Sequence, residues 1–195
     1  MENNLKKLKE DCVQLVPGLS LDFEKLRYYI YLKKAKRGDI IKEPNTIEIC
    51  SRYICEGYIG LLKEGEEGEA LKEIFKVTDI AFDFKSYWKE KKTKSYLKCL
   101  SDVVYFEVSK KSELELVRLF PEFTSLGLAI NHRLLERFSR RSNLKGQGIH
   151  KSYPKFLQVF PGIDEVLSQN KIASYFGCTA RTVRYVQKEF KSERK

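Results

Sequence analysis

One stretch decides the fold, and it runs Lys171-Ile-Ala-Ser-Tyr-Phe-Gly-Cys-Thr-Ala-Arg-Thr-Val-Arg-Tyr-Val-Gln-Lys188. Its pattern predicts two short helices joined by a tight turn. Gly177 can adopt the positive φ that a sharp helix-ending turn requires, because it has no Cβ. Thr179 is a good N-cap for the second helix, since its hydroxyl can accept a hydrogen bond from the backbone amides of the next turn.

Both predicted helices have one apolar face. The apolar residues are Ile172, Ala173 and Phe176 in the first helix and Val183, Val186 and Phe190 in the second. The other face of the second helix carries Arg181, Arg184, Tyr185 and Lys188. This is the sequence form of a helix-turn-helix, whose second helix enters the DNA major groove. Two amphipathic helices around a glycine can show the same pattern without binding DNA, so the motif is a hypothesis that the rest of the chain must support.

The charge of the chain favours a polyanionic partner. Its 195 residues include 37 Lys and Arg against 27 Asp and Glu, a formal net charge of +10. About half of that excess lies between Gln169 and Lys195, where nucleic acid is the natural partner. A basic tail that only improves solubility is the alternative. Hydrophobic residues make up 42%, which indicates a folded protein of one or two domains.

The cysteines and the apolar runs indicate the cellular compartment in which the protein is expected. The five cysteines are odd in number and show no CxxC spacing, and the polar N-terminus lacks a signal-peptide pattern. We therefore expect a reduced, cytoplasmic protein whose cysteines are small buried hydrophobes. No apolar run approaches membrane-spanning length, and no His or Cys spacing predicts a metal site.

The region before the motif predicts two helices and then a sheet structure. Leu5, Leu8, Cys12 and Leu15 mark an amphipathic helix that ends before Pro17, and a second helical run begins at Ser20. Short alternating stretches then predict an antiparallel β-roll. We place its strands at 31–36, 39–42, 47–55, 57–63, 69–76, 79–82, 94–100 and 102–108. The run 82–94 predicts a short helix and a basic loop, and the Glu64–Glu69 run a solvated hairpin loop.

A long helix follows from Lys111 to Ser142, interrupted at Pro121 because proline lacks the amide proton of the helical ladder. Besides its main apolar stripe it has Leu128 and Leu135, seven residues apart, which suits pairing with a second copy of the helix. Asn131 lies between them and either fixes the register of such a pair or simply faces solvent. Gly146-Gln-Gly148 then predicts an interdomain hinge.

These parts define an α+β fold with three units. We expect a β-roll with N-terminal helices over 1–110, a long dimerisation helix and hinge over 111–145, and a helix-turn-helix domain over 146–195. The chain offers no phosphate-gripping glycine loop and no clustered carboxylates beyond the Glu64–Glu69 run, so we do not expect an enzyme.

The order of these parts resembles the CRP/FNR family of bacterial transcription regulators. Lys36-Arg-Gly-Asp-Ile-Ile and Tyr53-Ile-Cys-Glu-Gly-Tyr-Ile-Gly are similar to motifs of the family's cyclic-nucleotide-binding-like, jelly-roll domain, and the stretch from Ile172 to Val183 is similar to its helix-turn-helix. Phe82-Asp-Phe-Lys-Ser-Tyr and Lys94-Ser95 look most like members from Bacteroidetes. The resemblance implies a homodimer on double-stranded DNA, with RNA polymerase and a small-molecule effector of unknown chemistry as candidate partners.

The sequence departs from the family at residues that bind the effector, and these departures limit which effectors are expected. Cyclic-nucleotide binders have a Gly-Glu pair and an Arg-Ser pair, where the planar arginine fork grips phosphate. In the corresponding region this chain has Phe82-Asp-Phe-Lys-Ser and Lys94-Ser95, with no Gly-Glu pair, so cyclic AMP is not expected, and no cofactor is expected. The family's oxygen-sensing cysteine cluster is also absent. His132 and His150 both lie outside the roll, which speaks against a haem.

The recognition helix departs as well. The best-known members of the family read the operator with Arg-Glu-Thr-Val-x-Arg, whereas this chain has Ala180-Arg-Thr-Val-Arg-Tyr at the matching positions. Arg181 is a donor suited to guanine, where the family has an acceptor suited to cytosine. We expect Arg181 and Arg184 or Tyr185 to reach base edges, and Thr179, Thr182 and Lys188 to hold phosphates. Lys171 and Ala180 complete the expected DNA-binding set. The alternative function is a sensor module whose basic C-terminal helices bind a protein partner.

Overall fold

The computed structural model describes residues 2–65 and 68–192, and this part of the chain confirms the predicted α+β architecture. The strands are β1 Ile30–Ala35, β2 Ile40–Lys42, β3 Cys50–Glu56, β4 Ile59–Gly65, β5 Gly68–Phe75, β6 Ile80–Ala81, β7 Ser95–Cys99 and β8 Val103–Ser109. The helices are α1 Glu2–Leu15, α2 Phe23–Leu26, α3 Phe84–Lys89, α4 Lys110–Leu119, α5 Pro121–Gly146, α6 Gly148–Val159, α7 Ile163–Val166, α8 Gln169–Phe176 and α9 Ala180–Ser192.

The strands form two four-stranded antiparallel sheets, ordered β1-β8-β3-β6 and β2-β7-β4-β5. Successive side chains of a strand point to opposite faces, so Ile54 enters the core between the sheets while Tyr53 and Cys55 face the helices outside. The turn between β3 and β4 needs Gly57, whose φ is +83° and whose Cβ would lie 2.1 Å from the backbone oxygen of Asp102. The predicted β-roll is confirmed.

Helices α1, α2, α4 and α5 cover the outer face of the β1-β8-β3-β6 sheet. The second helix is shorter than expected from Ser20 onward. Asp22 is its N-cap and accepts hydrogen bonds from the amides of Glu24 and Lys25 at 3.1 and 3.3 Å, so the helix consists of one turn after that cap.

The long helix is interrupted where the proline predicts it. Helix α4 ends at Leu119, Phe120 is extended, and Pro121 occupies the first turn of α5, a position where its missing amide proton costs nothing. Helix α5 continues four residues beyond the predicted end at Ser142. The chain changes direction at Gly148, whose φ is +74°, so the expected hinge coincides with the junction of α5 and α6.

Helix α5 is held to the roll by four cationic side chains spaced four residues apart, which places them on one face. Their acidic partners lie on α1, on β5 and just before β6. Arg133 pairs with Asp11 at 2.8 Å, Arg137 and Arg141 both pair with Asp79, and Lys145 lies 3.9 Å from Glu73. Asp79 is 1% exposed and Arg141 5%, so this is a buried ion network.

The C-terminal helices pack against the outer face of the other sheet. A single apolar cluster contains Leu62, Leu71 and Tyr96 of the roll together with Phe156, Phe176 and other residues of the C-terminal helices. The network on α5 reaches the same cluster, because the Lys145 Nζ lies 4.1 Å above the Tyr175 ring. These contacts join the predicted first and third units. The division at 110 and 145 stays a prediction.

Candidate nucleic-acid interface

Local hydrogen bonds build the turn between α8 and α9 as the sequence predicts. Gly177 has a φ of +67°, and the Cys178 amide returns to the Ala173 carbonyl at 3.0 Å, which closes the C-terminus of α8. The Thr179 hydroxyl accepts from the Thr182 amide at 3.1 Å and so caps α9. Both features of the predicted turn are therefore confirmed.

The apolar faces of the two helices are buried against each other and against α6. Ile172 and Val183 are 0% exposed, and the remaining residues of the predicted faces also belong to the C-terminal cluster. Sequence reasoning did not assign Tyr175, which is 3% exposed and lies in an aromatic cluster with Phe156 and Phe160. The helix pair thus shares one apolar core with α6.

One face of α9 projects a polar, mainly basic surface into solvent. Arg181, Arg184, Tyr185 and Lys188 are all exposed, and their spacing of three and four residues places them on the same side of the helix. Arg184 is steadied by a 3.3 Å hydrogen bond from its Nε to Gln169. The Tyr185 ring lies 6.1 Å from that of His150. Sequence reasoning missed Gln169 and His150, because both act through contacts between different helices.

The N-terminus of α9 carries the predicted phosphate contacts. Thr179 is exposed, and its hydroxyl lies 2.9 Å from that of Thr182. The amides of the first turn, including that of Ala180, have no partner within their own helix, and such groups favour anions. The geometry therefore presents hydroxyls and amides together at one helix end. Their contact with DNA stays a prediction.

Lys171 differs from the other predicted DNA contacts, because it is already paired with the roll. Its ammonium binds Glu69 of β5, which also accepts hydrogen bonds from Lys98 at 2.8 Å and from the Tyr96 hydroxyl at 2.7 Å. Partial burial opposes ionisation of Glu69, but these three donors outweigh it and lower its pKa to about 2. The prediction that the Glu64–Glu69 run is a solvated hairpin loop is therefore wrong at Glu69. Glu66 and Glu67 of that run lie outside the described residues.

Further polar contacts dock the helix-turn-helix on the roll. The Ser174 hydroxyl of α8 accepts from the Leu71 amide at 2.9 Å. Tyr58 donates to the Pro161 carbonyl at 2.6 Å, and Arg37 donates to the Val166 carbonyl at 2.8 Å. Because the roll supplies one partner in each case, these contacts help to set the orientation of the C-terminal helices on the roll in this conformation.

The predicted dimer seam lies on the solvent side of α5. Leu128 is 59% exposed and Leu135 64%, on the side away from the buried ion network. Asn131 is exposed between them, and its amide donates to the Gly127 carbonyl of its own helix at 3.0 Å. An exposed apolar pair on a long helix is available to a second copy, while the role of Asn131 in the register stays a prediction.

The roll region that would correspond to a cyclic-nucleotide site is rich in lysine. Buried Lys42 bonds Asp83 at 3.1 Å and Thr93 at 2.9 Å, which anchors α3 and the loop after it. An open groove of about 640 Å³ follows this segment. Six exposed lysines line it: Lys63, Lys85, Lys89, Lys91, Lys92 and Lys94. The expectation that cyclic AMP does not bind stays a prediction.

The cysteines are free thiols. Cys12, Cys55 and Cys99 are buried, as predicted, whereas Cys50 and Cys178 are partly exposed. Burial raises the pKa of the Cys12 thiol to about 12 and that of Cys55 and Cys99 to about 11, so these three stay protonated at neutral pH. In the part of the chain that the structure describes, no group of three or more metal-binding side chains comes together.

Within residues 2–65 and 68–192, no helix is both long and apolar enough to span a membrane.

Comparison with solved structures gives the same architecture at low identity. The c-di-GMP-responsive global regulator CLP of Xanthomonas campestris is 15% identical with a TM-score of 0.65, over 87% of this chain and 90% of that chain. FixK2 of Bradyrhizobium japonicum is 12% identical with a TM-score of 0.67, over 84% and 85%. A CooA mutant of Carboxydothermus hydrogenoformans is 19% identical with a TM-score of 0.63, over 92% and 84%.

No protein-family model and no curated protein sequence matches this chain. At these identities the structural likeness shows the fold alone. The resemblance to CRP/FNR regulators is therefore confirmed at the level of the fold, with a roll of cyclic-nucleotide-binding type, a long helix and C-terminal helices.

Proposed function

We propose that this protein is a homodimeric, sequence-specific DNA-binding transcription regulator of the CRP/FNR type, similar to members from Bacteroidetes, and that it acts in the cytoplasm. The observation that carries the proposal is the exposed face of α9, where Arg181, Arg184, Tyr185 and Lys188 project from a helix fixed by a helix-turn-helix turn. Such a helix fits the major groove, and its basic residues neutralise phosphates.

The proposed reading of DNA divides these residues into two groups. Arg181 and Arg184 or Tyr185 contact base edges, which gives specificity. Thr179, Ala180, Thr182 and Lys188 contact phosphates at the helix end and flank, which gives position. Lys171 joins the phosphate contacts once its pair with Glu69 is broken.

Leu128, Asn131 and Leu135 pair with their counterparts in a second chain in this proposal. A two-fold dimer presents two recognition helices to a pseudo-palindromic site, with half-sites about one helical turn apart. In this proposal RNA polymerase is a further partner. The signal is a small-molecule effector other than cyclic AMP.

The docked helix-turn-helix suggests how DNA binding is regulated. Lys171 cannot contact a phosphate while Glu69 holds it, so the docked conformation binds DNA less tightly than an undocked one. The buried hydroxyl of Tyr175 has no hydrogen-bond partner among the described residues, which lowers the stability of the docked interface. We propose that the signal shifts the balance between these two conformations.

Selection of bound fragments from a genomic DNA library with the purified protein tests this function. We expect enrichment of sites with two related half-sites, and an affinity that falls steeply as salt increases, because bound counterions are released from DNA. A weak salt dependence with no enriched sequence would contradict the proposal and favour the alternative, a module whose basic C-terminal helices bind a protein.

A further inference from the structure

A partly enclosed cavity of about 90 Å³ lies between the N-terminal helices, the outer face of the β1-β8-β3-β6 sheet, and helices α4 and α5. None of its lining residues belongs to the recognition helix or to the lysine-lined groove of the roll. Its wall is mainly apolar, with Leu8 from α1, Phe106 from β8, Leu116 from α4, and Leu126 from α5. The cavity is therefore separate from the surfaces assigned above.

The charged groups on the cavity wall already have protein partners. Arg133 donates to both carboxylate oxygens of Asp11 at 2.8 Å each. Glu113 accepts hydrogen bonds from the hydroxyls of Ser51 and Tyr87. An anion that entered the cavity would lose its hydration and meet no free cation on the wall, because Arg133 is already paired with Asp11, and this is costly. The wall thus favours an uncharged occupant over an anion.

One polar group on the wall remains available. In the described part of the chain the Tyr53 hydroxyl forms no hydrogen bond, although Tyr53 is only 8% exposed. An occupant with one hydrogen-bonding group can satisfy it, and the rest of the occupant must be apolar to match the surrounding side chains.

The volume limits the size of the occupant. An apolar cavity of about 150 Å³ holds benzene, so a cavity of this volume accepts roughly four heavy atoms. We propose that this cavity is a binding site for a small uncharged molecule of that size, mainly apolar and with at most one hydrogen-bonding group. The occupant would contact the roll and α5 together, since α5 supplies Leu126, Ile130 and Arg133.

Methyl NMR of isoleucine-labelled protein tests the site. Ile30, Ile80 and Ile130 line the cavity, whereas Ile54, Ile59, Ile74 and Ile172 are fully buried elsewhere and serve as an internal reference. Xenon and 2-propanol are the uncharged probes, and acetate, with as many heavy atoms as 2-propanol, is the charged comparator. We expect saturable shifts of the first three methyl groups with xenon and 2-propanol, and none with acetate.

Filling the cavity provides the matched variants. Leu8→Phe and Leu126→Phe extend into it from two different helices, and we expect each to abolish the saturable shifts. Leu114→Phe on α4 is the control, because Leu114 is 66% exposed and does not line the cavity. The methyl spectrum shows whether each variant is folded, and one folded filling variant suffices. Absent shifts in the parent protein, or shifts that persist in a folded filling variant, would overturn the proposal.

The measurement does not involve DNA, so its outcome is independent of the proposed function.

Discussion

Single residues determine what the exposed face of α9 can contact. Arg181 lies in the first turn of α9 and is fully available, since it is exposed and no ion pair engages it in the described residues. Lys171 has a similar charge but is held by Glu69. Lys171 must therefore break an ion pair before it can contact DNA, whereas Arg181 need not. Substitution of the two residues should have different consequences.

Arg181→Ala should weaken binding to the selected DNA site by about 2 kcal/mol, close to thirtyfold, because one bidentate contact with a guanine is lost. The same change should leave binding to random DNA nearly unaltered. Fluorescence anisotropy with both duplexes measures the two affinities. Lys191→Ala, on the same helix, is the control for loss of charge alone. An unchanged affinity for the selected site would show that Arg181 does not read bases.

Glu69→Gln should increase DNA affinity at neutral pH, because Lys171 loses its ionic partner. The pKa of Glu69 is lowered to about 2 when folded, against an ordinary value of 4.5. Its ionic contribution to docking is thus complete above about pH 4.5 and lost as the pH falls towards 2. We expect this acid-dependent loss of stability to diminish in Glu69→Gln, measured by thermal unfolding between pH 2 and 7. Glu64→Gln, on the same hairpin, is the control.

At the scale of elements, α5 has two faces with different roles. One face carries Arg133, Arg137, Arg141 and Lys145 against carboxylates of α1, β5 and the segment before β6. The opposite side exposes Leu128 and Leu135. The ion network fixes one face of the helix on the roll, and the exposed leucines lie on the face that the proposed dimer would use.

Arg141→Ala should lower the free energy of unfolding by about 3 kcal/mol, because removing one partner of a buried pair leaves Asp79 inadequately compensated. The neighbouring Arg140→Ala should cost about 0.5 kcal/mol or less, since the Arg140 side chain is 79% exposed and forms a surface ion pair with Glu136. Urea unfolding of the two variants compares them directly. Equal losses would mean that the buried network contributes no more than a surface pair.

Leu128→Glu combined with Leu135→Glu should dissociate the proposed dimer, because the seam would bring like charges together. Sedimentation velocity should then show a monomer, and affinity for a two-half-site duplex should fall to that for a single half-site, since the two contacts are no longer linked. Tyr28→Glu, at a residue that is 80% exposed, is the control. A variant that remains dimeric would place the interface elsewhere.

For the whole molecule, the shared apolar cluster links the roll to the C-terminal helices. Leu62, Leu71 and Tyr96 are packed against the helix-turn-helix, so separation of the two parts exposes apolar surface on both sides. The protein also contains a single tryptophan, Trp88, which lies on α3 of the roll. Its fluorescence therefore reports on the roll alone.

Urea unfolding followed by Trp88 fluorescence and by helical circular dichroism should give coincident transitions, because the shared cluster makes the two parts unfold together. Two separated transitions, with helix lost first, would show instead that the C-terminal helices fold as an independent unit from about residue 146. The two unfolding curves are first measured on the unchanged protein. The same curves of Glu69→Gln, in which the contact between Lys171 and the roll is weakened, provide the comparison.

Much of the fold was predictable because its signals are local. The eight strands follow from side-chain alternation, and the break at Pro121 follows from a missing amide proton. The turn at Gly177 and the cap at Thr179 depend on residues within one or two turns of each other. For the same reason the exposed face of α9 could be predicted residue by residue.

The sequence by itself therefore determined the elements, their order and the basic surface of α9. Only the tertiary structure decided that Lys171 is paired with Glu69, that the arginines of α5 meet Asp11 and Asp79, and that a cavity remains beside Tyr53. Each of these joins residues that are distant along the chain. Helical and strand periods show which face is buried but not which partner covers it, so docking depends on the packing of the whole chain.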